Sequence, residues 1–418
     1  MIEVILSRDN LLTALKRVES NKGSHGVDKM PVQTLREQIY NYWPIIKEEL
    51  RQGTYNPNLV RRVEIPKSDG EKRLLGILTV MDRFIQQAIA QELTRVFDPG
   101  FSTFSYGFRP NKQGHEAVRQ AQAYINDGHR WVVGVDLEKF FDTVNHEKLM
   151  GVLAKKVKDK TVLKLINKYL KAGIMIHGVA TKSQVGTPQG GPLSPILANI
   201  LLDELDKELE TRGHKFVRYA DDFQIYVKSR KAGQRVMTNI TTFLEKTMKL
   251  KVNREKSAVD RPWKRKFLGF SFTLEKQTRT RIHKDSIKRF KSKVRELTSR
   301  KSSIPMDRRI ERLNKFLNGW LGYYALADTK SIFRELDEWI RRRLRMCRWK
   351  EWKLSKTRVK NLKALGVNPS KAYEWGNTRK GYWRITHSPI LHKSLGNSYW
   401  SNLGLTSLYG RYQTIRQS

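Results

Sequence analysis

The chain has 418 residues, more than one ordinary core accommodates, so we expect two to four domains. Its 81 Lys and Arg residues outnumber its 41 Asp and Glu residues, and the net charge of +40 is spread along the chain, which favours nucleic acid over a membrane surface as the partner. No run reaches the roughly 18 apolar residues of a membrane span. The single cysteine, Cys347, excludes an intrachain disulfide and a thiolate zinc cluster. The N-terminus lacks a signal-peptide pattern, so we expect a cytoplasmic protein.

The first part of the chain predicts a helix, a loop and a hairpin. Residues 8–20 carry apolar side chains at helical spacing, and the Gly-rich residues 21–28 that follow predict a loop, which in the simplest interpretation is only a connector. Two strand-like runs separated by an Asp-Gly pair then predict a hairpin. Lys67 and Arg73 flank its turn, where solvated edge-strand charges are common.

The middle of the chain predicts a short buried strand and a second hairpin. Residues 131–135 are an apolar run that ends in Asp136. Residues 186–195 contain three prolines and three glycines, which predict a loop and not a helix or an interior strand. This loop is expected to end at the start of a helix, with Ser194 as the N-cap and Pro195 as the first helical residue. Further on, alternating residues on both sides of Tyr-Ala-Asp-Asp at 219–222 predict two strands joined by a tight turn.

Three acids in these strands lead to a chemical hypothesis. An Asp pair at a turn needs no special role, but a charged residue at the end of a buried strand needs an explanation. If the strands are neighbours in one sheet, Asp136, Asp221 and Asp222 converge, and each pair repels by about 4 kcal/mol at 4 Å unless cations lie between them. Oxygen ligands favour Mg²⁺, and two ions about 3.5–4 Å apart suit in-line phosphoryl transfer.

The C-terminal third of the chain predicts basic helices and an aromatic tail. Three stripes of apolar residues at helical spacing, at 287–297, 310–324 and 332–344, suggest a helical bundle. Their polar positions form a basic face that suits a nucleic-acid backbone. We name for this basic face Lys288, Lys291, Arg295, Arg341, Arg342 and Arg345. Beyond residue 356, aromatic and basic residues alternate, which fits either stacking on unpaired bases or a small aromatic core.

These motifs carry a resemblance. Tyr-Ala-Asp-Asp at 219–222, with Asp136 opening Asp-Leu-Glu-Lys-Phe-Phe-Asp, resembles the palm of reverse transcriptases. The segments Tyr-Gly-Phe-Arg-Pro at 106–110, Thr-Pro-Gln-Gly-Gly-Pro-Leu-Ser-Pro at 187–195 and Asn-Lys-Phe-Leu-Asn-Gly-Trp at 314–320 resemble bacterial group II intron-encoded reverse transcriptases and their maturase region, in the short type without an endonuclease domain.

The resemblance implies an α+β right-hand polymerase with fingers, a palm with an antiparallel sheet, a helical thumb and a small basic C-terminal domain. The implied domains are an N-terminal extension with fingers (1–80), fingers and palm (81–278), a thumb or maturase region (279–355) and a DNA-binding domain (356–418).

The resemblance also implies roles for individual residues. Asp136, Asp221 and Asp222 correspond to the metal-binding triad, with the backbone of Leu137 as a further ligand and Mn²⁺ as a possible substitute for Mg²⁺. Whether Asp222 binds the metal directly or only supports the site is left open. The implied nucleotide-binding residues are Lys67, Arg73, Phe141 as a steric gate, Gln189, and Lys256, for which a merely solvated lysine is the alternative. The implied template or primer contacts are Gly23, Gly26, Arg109, Phe267, Leu268, Gly269 and Phe270, and for Arg109 packing within its own loop is the alternative.

The resulting hypothesis is an RNA-directed DNA polymerase that assists splicing of its intron RNA and copies it into DNA during retrohoming. Its partners would be intron RNA, primer or target DNA and dNTPs, with the oligomeric state left open. The rival from another class is an RNA-binding splicing cofactor. A third possibility, the reverse transcriptase of a retron, diversity-generating or defence system, would lack the maturase-like stretch around Trp320.

Overall fold

The computed structural model describes residues 1–66, 72–176, 179–181 and 190–417. These residues form two units, Met1–Arg265 and Lys266–Ser418. The boundary lies before the sequence-based boundary at 278/279, so the segment from Phe267 to Phe270 belongs to the second unit. The finer division into fingers, palm, thumb and C-terminal domain stays a prediction.

Helices dominate the first unit. They are α1 (Ile2–Ile5), α2 (Arg8–Asn21), α3 (Leu35–Gln52), α4 (Val80–Phe97), α5 (Gly114–Asn126), α6 (Phe140–Thr143), α7 (His146–Lys156), α8 (Lys160–Lys171), α9 (Ser194–Thr211) and α10 (Arg230–Thr242). Helix α9 is buried on nearly every side, because apolar residues recur around it at helical spacing.

In the described part of the first unit, the strands form two four-stranded sheets. The strands are β1 (Val60–Pro66), β2 (Lys72–Ile77), β3 (Trp131–Val135), β4 (Ile174–Ile176), β5 (Val179–Thr181), β6 (Lys215–Tyr219), β7 (Asp222–Val227) and β8 (Ala258–Asp260). One sheet has the order β2-β1-β4-β5 and the other has the order β6-β7-β3-β8. The predicted pairing of β1 with β2 is present and antiparallel.

The sheet that contains β3 is the one that concerns function. Its strands β6, β7, β3 and β8 pair antiparallel with their neighbours, as expected for a palm. Val133, Phe216 and Ile225 are fully buried and belong to the main hydrophobic core together with the apolar residues of α9. This burial keeps the strands in register, since a shift by one residue would turn their apolar side chains to the other face.

The second unit begins with a hairpin and continues with helices. The hairpin strands are β9 (Phe270–Phe272) and β10 (Thr280–Ile282). The helices are α11 (Lys284–Leu297), α12 (Met306–Tyr324), α13 (Lys330–Glu351), α14 (Ser355–Ala364), α15 (Pro369–Gly376), α16 (Pro389–Ser394), α17 (Asn397–Asn402) and α18 (Leu408–Gln417). The three predicted amphipathic helices correspond to α11, α12 and α13. In the described ranges, none of the helices has the length and hydropathy needed to cross a bilayer.

Candidate functional site

Strands β6 and β7 form a hairpin with a two-residue turn. Tyr219 pairs with Asp222, which leaves Ala220 and Asp221 as the turn residues. Ala220 has a φ of +58°, as the first central residue of a primed hairpin turn requires. This turn holds Asp221 at the tip of the hairpin and starts β7 with Asp222.

Asp136 lies at the same edge of the sheet. Strand β3 pairs antiparallel with β7, and Val135 is opposite Phe223. One more step along this register sets Asp136 opposite Asp222, and opposite residues of an antiparallel pair have Cα atoms about 4.5–5.5 Å apart with side chains on one face. The backbone therefore brings all three acids to one edge of the sheet.

The side chains at this edge are accessible and rich in oxygen donors. Asp222 is exposed, and Asp136 and Asp221 are half-buried. Burial, followed by the charge of Asp222, raises the pKa of the Tyr226 hydroxyl well above its ordinary value. Among the residues that the structure describes, no three His, Cys, Asp or Glu side chains are gathered into a ready metal cluster. Carboxylate oxygens are the ligands that a hard cation such as Mg²⁺ prefers, so these three residues suit such an ion.

The main chain around Asp136 is held from both sides. The Asp136 N–H donates to the Ser257 hydroxyl at 3.0 Å, and the Asp136 carbonyl accepts from the Asn253 N–H at 2.8 Å. Leu137 forms an antiparallel bridge with Val252. The two hydrogen bonds of this bridge run from the Asn253 N–H to the Asp136 carbonyl and from the Glu138 N–H to the Lys251 carbonyl, so neither uses the Leu137 carbonyl. The segment 251–257 thus positions Asp136, a role that the sequence pattern did not indicate.

A buried ion pair supports the Asp221 hairpin. The Arg218 guanidinium and the Asp206 carboxylate of α9 are both inaccessible to solvent, and Arg218 Nε donates to Asp206 Oδ1 at 2.8 Å. Arg218 also donates to the side-chain oxygen of Asn199 and to the carbonyl of Ala220. The sequence contained one signal for this network, because Asn199 and Asp206 are polar residues seven positions apart and therefore lie on the same side of α9.

Gly107 packs directly against the turn of this hairpin. Its carbonyl accepts from the Asn199 amide at 2.8 Å, and a Cβ at this position would lie 2.9 Å from the Tyr219 carbonyl carbon and overlap the Ala220 nitrogen. The Tyr-Gly-Phe-Arg-Pro segment therefore needs glycine here for close approach of two backbones.

This close approach yields a prediction. Gly107→Ala should lower the free energy of unfolding by about 1–3 kcal/mol, since backbone atoms at the turn must move to admit the methyl group. Gly151→Ala is the matched control, because Gly151 lies within α7 with open space around its Cβ position. Urea unfolding of both variants measures the difference, and equal stability of the two would contradict the contact.

Two of the predicted nucleotide-binding residues, Phe141 and Lys256, lie in chain segments next to Asp136 or to its hydrogen-bond partner Ser257. Phe141 is the second residue of α6 and is half-buried, and its ring contacts the buried Phe140 ring edge to face at 5.2 Å between centroids. Lys256 is exposed and precedes Ser257, the residue that binds the Asp136 N–H. Their roles stay predictions. Lys67 and Gln189 lie outside the described residues, as does the side chain of Arg73.

The N-terminal glycines pack inside the first unit. Gly26 is buried, and a Cβ there would lie 2.6 Å from the backbone nitrogen of Thr79. A Cβ on Gly23 would overlap the Arg83 guanidinium. Close backbone packing gives a physical reason for glycine at Gly26, whereas the Arg83 side chain beside Gly23 could move. The predicted contact of both glycines with a template stays a prediction.

Arg109 likewise has partners within its own loop. Its side chain is 8% exposed, and its Nε donates to Asp98 Oδ1 at 2.7 Å. The rest of its guanidinium donates to the carbonyls of Asp98, Ser102 and Ser105. This placement favours the structural alternative over a template-phosphate contact, because the donors are already used inside the protein.

The predicted primer-contact segment forms a tight turn in the second unit. Phe267 and Phe270 bridge each other, and Leu268 and Gly269 both have positive φ, at +49° and +84°. The Leu268 carbonyl accepts from the Tyr323 hydroxyl at 2.8 Å. This turn is thereby fixed against α12, and its predicted contact with a primer stays a prediction.

Only some residues of the predicted basic face are exposed to solvent. Lys288 and Arg295 on α11 are exposed, and Lys291 is half-buried. Arg341 and Arg342 on α13 are also half-buried. Arg345 is 5% exposed, so its assignment to an exposed face is corrected, because residues of the C-terminal segment cover this side of α13.

Comparison with known proteins gives two family matches. Residues 65–272 match the family described as reverse transcriptase (RNA-dependent DNA polymerase). Residues 287–366 match the maturase-specific domain of group II introns. The second match includes the stretch around Trp320 that the retron, diversity-generating or defence alternative would lack.

Individual relatives agree with these matches. Protein YkfC of Escherichia coli (strain K12) is 32% identical over 299 residues, which cover 62% of this chain and 78% of YkfC. The group II intron-encoded protein LtrA of Lactococcus lactis subsp. cremoris is 30% identical over 341 residues, which cover 65% of this chain and 56% of LtrA. The chain thus spans little more than half of LtrA.

A solved structure, the partial Cas6-RT-Cas1--Cas2 complex, aligns with this chain with a TM-score of 0.37 and 24% sequence identity. The alignment covers 59% of this chain and 42% of the chain in that complex.

The fold prediction and the family prediction made from the motifs are confirmed by the family and relative matches. The chain therefore belongs to the reverse transcriptase family and carries the maturase-specific domain of group II intron proteins.

Proposed function

We propose that this protein extends a DNA primer on an RNA template and uses Asp136, Asp221 and Asp222 to hold the divalent cations of the reaction. The register of β3, β7 and β6 carries the proposal, because it brings these three carboxylates to one edge of the sheet. Membership of the reverse transcriptase family implies dependence on a divalent metal. The finer assignment is two Mg²⁺ ions, replaceable by Mn²⁺, with the Leu137 carbonyl as an additional ligand.

Bound Mg²⁺ would supply charge that favours the ionised primer 3′-hydroxyl and the departing pyrophosphate. The protein's own residues then have positioning roles. The hydrogen bond that the Asp136 N–H donates to Ser257 and the one that its carbonyl accepts from the Asn253 N–H fix one carboxylate-bearing segment. The Arg218–Asp206 pair fixes the hairpin that bears the other two acids. Such preorganisation matters because misplacing a reacting group by about 1 Å costs about a hundredfold in rate.

Partners follow from the same proposal. We assign an RNA template, a DNA primer and dNTPs to the first unit, with Lys67, Arg73, Gln189 and Lys256 as the nucleotide-binding residues. A guanidinium or ammonium group suits the triphosphate oxygens. The direct test is extension of a labelled DNA primer on an RNA template by the full chain with dNTPs and Mg²⁺. Template-dependent products are expected, and their absence with both Mg²⁺ and Mn²⁺ would overturn the assignment.

Phe141 is the proposed steric gate against ribonucleotides. Phe141→Ala should reduce the preference for dNTP over rNTP at least about tenfold, which equals about 1.4 kcal/mol of discrimination, because the ring no longer excludes a 2′-hydroxyl. Phe141→Tyr keeps the bulk and should keep the preference. The measurement is kcat/KM for both nucleotides in single-nucleotide extension, and unchanged discrimination in the alanine variant would assign the gate elsewhere.

A second function, assistance to intron splicing, is favoured by the maturase-specific match at residues 287–366. The exposed Lys288 and Arg295 on α11 offer positive charge to an RNA backbone. Splicing of the parent intron at low Mg²⁺, measured with wild type and with Asp221→Asn, separates the two functions. Retained splicing in the variant is expected, and loss of splicing without loss of RNA binding would contradict a separate maturase function.

A further inference from the structure

Both ends of the β1–β2 hairpin meet at one buried carboxylate, that of Asp82. Asn58 lies two residues before β1, and Thr79 lies two residues after β2. The backbone N–H and the side-chain amide of Asn58 donate to Asp82 Oδ2 at 3.1 and 3.2 Å, and the Thr79 hydroxyl donates to the same oxygen at 2.6 Å. Asp82 lies in the first turn of α4 and is inaccessible to solvent. One side chain therefore binds both connections of the hairpin to the rest of the first unit.

Two tyrosines bind the other oxygen of this carboxylate. The Tyr55 and Tyr169 hydroxyls donate to Asp82 Oδ1 at 2.8 and 3.2 Å, and both side chains are buried. Burial, followed by the charge of Asp82, raises the pKa of each hydroxyl well above its ordinary value, so both remain hydrogen-bond donors. We call Tyr55, Asn58, Thr79, Asp82 and Tyr169 the Asp82 cluster. It joins α4, α8 and the segment that leads into β1.

Helix α8 holds the same segment through further contacts. The Lys168 ammonium donates to the three carbonyls of residues 53–55 at 2.7–3.2 Å. Strand β1 then pairs in parallel with β4, which follows α8. Val60, Leu78 and Ala172, from the two ends of the hairpin and the end of α8, form a small buried cluster. Polar and apolar contacts thus attach the base of the hairpin to α4 and α8.

The backbone that follows Gln189 packs against the same base. A Cβ on Gly190 would lie 2.9 Å from the Gly76 carbonyl oxygen of β2, and a Cβ on Gly191 would lie 2.9 Å from Leu78 Cδ1. Gly190 has a φ of +121°, a region that residues with a Cβ rarely adopt. A displacement of the end of β2 would therefore also displace the backbone next to Gln189.

Helix capping accounts for only part of this arrangement. Thr79 is the N-cap of α4, and its hydroxyl accepts from the Asp82 N–H at 3.2 Å, which requires only these two residues. The donors of Asn58, Tyr55 and Tyr169 come from outside α4. Because a buried carboxylate that loses any of its donors is costly, the cluster favours a single arrangement of the hairpin base.

We propose that Asp82 is a positioning residue for the incoming nucleotide, and that it acts by fixing the base of the β1–β2 hairpin. This inference rests on the proposed function, in which Arg73 of β2 and Gln189 bind the dNTP. Asp82 is buried and does not contact the nucleotide itself. Asp136, Asp221 and Asp222 belong to the edge of the other sheet, so a shift of β2 weakens nucleotide binding more than it disturbs the acids.

The first experiment separates nucleotide affinity from chemistry. Single-nucleotide extension by the full chain on saturating primer–template gives KM for the dNTP and kcat. Asp82→Asn keeps the size of the side chain and should raise KM at least about tenfold, the factor for one lost hydrogen bond to a charged group, whereas kcat should fall no more than about threefold.

Asp337→Asn is the matched control for this substitution. Asp337 is also buried, and it accepts from the Ser407 hydroxyl and from the N–H groups of Leu408 and Tyr409 in the second unit. Its replacement should lower the stability of that unit but leave the KM for the dNTP within about twofold of wild type, because the hairpin base is untouched.

A milder pair of variants covers the case in which Asp82→Asn does not fold. Tyr55→Phe removes one donor to Asp82 and should raise the KM for the dNTP about threefold. Tyr412→Phe removes a buried hydroxyl that donates to the Ala327 carbonyl in the second unit, and it should leave KM unchanged.

A double variant tests the route of the effect. In an Arg73→Ala background, Asp82→Asn should raise KM much less than it does in wild type, because the contact that Asp82 positions is already absent. Full additivity of the two substitutions would show that Asp82 acts by another route and would overturn the proposal.

Hydrogen exchange measures the anchoring without activity. In Asp82→Asn, the amides of β1 and β2 should exchange faster than in wild type and in Asp337→Asn, and those of β6 and β7 should not. A raised KM with this local change supports the proposal. An unchanged KM in a folded Asp82→Asn overturns it, as does a fall in kcat alone. If wild type does not extend a primer, or Arg73→Ala leaves KM unchanged, the proposed function fails, and the exchange of β1 and β2 still decides whether Asp82 fixes the hairpin.

Discussion

Replacing Asp221 by Asn is expected to reduce RNA-templated primer extension at least about a thousandfold, equivalent to about 4 kcal/mol of transition-state stabilisation. The substitution keeps the size of the side chain but removes a negative charge from the tip of the β6–β7 hairpin. An amide oxygen is a weaker ligand for Mg²⁺ than a carboxylate. The measurement is kcat/KM for single-nucleotide extension at several Mg²⁺ concentrations.

The control must show that only the chemistry is lost. The Kd for the primer–template duplex should stay within about twofold of wild type, equivalent to about 0.4 kcal/mol, because the proposed role of Asp221 lies in the chemical step and not in holding the duplex. Glu37→Gln removes an exposed carboxylate from α3, away from every residue assigned to the site, and it should leave extension unchanged. Full activity in Asp221→Asn would refute the metal assignment.

Asp206→Ala should lower the free energy of unfolding by about 3–5 kcal/mol, because it leaves the Arg218 guanidinium buried without its counter-charge. Both side chains are fully buried, and the pair lies beneath the turn that bears Asp221. Urea unfolding of the full chain, monitored for the first unit by hydrogen exchange of the β6 and β7 amides, measures the loss.

A neighbouring pair on the same helix provides the comparison. Glu208 and Arg212 form an i,i+4 ion pair on α9, with 26% and 39% of their side-chain surfaces exposed. Glu208→Ala should cost no more than about 0.5 kcal/mol, since exposed ion pairs are screened by water. If Asp206→Ala costs no more than Glu208→Ala, the buried pair does not support the hairpin. The double variant Asp206→Leu with Arg218→Met should recover much of the stability, because no unpaired charge remains.

Local patterns in the residues were sufficient for the elements around the site. The alternation on both sides of Asp221 and Asp222 predicted the β6–β7 hairpin, and the apolar run before Asp136 predicted β3. Helical spacing likewise predicted α11, α12 and α13. These predictions succeed because side-chain periodicity follows from the geometry of a single helix or strand and requires no knowledge of distant residues.

Contacts between segments that are distant in the sequence could not be predicted from side-chain periodicity. The need for glycine at Gly26 comes from the Thr79 backbone, and the need at Gly107 comes from the turn at Ala220. Arg109 carries the charge of a nucleic-acid contact, but Asp98 and nearby carbonyls use its donors. In each case the deciding neighbour is not visible in the local pattern.

The amino-acid sequence by itself determined the family, the two hairpins and the identity of the acids, since motif spacing and periodicity are local properties of the chain. Only the tertiary structure decided that β3 pairs with β7 and so brings Asp136 to the edge that bears Asp222, that Arg218 and Asp206 support the turn, and that Arg345 is buried. The physical reason is that burial and pairing depend on which segments pack together, and the free energy of a charged side chain is set by those neighbours.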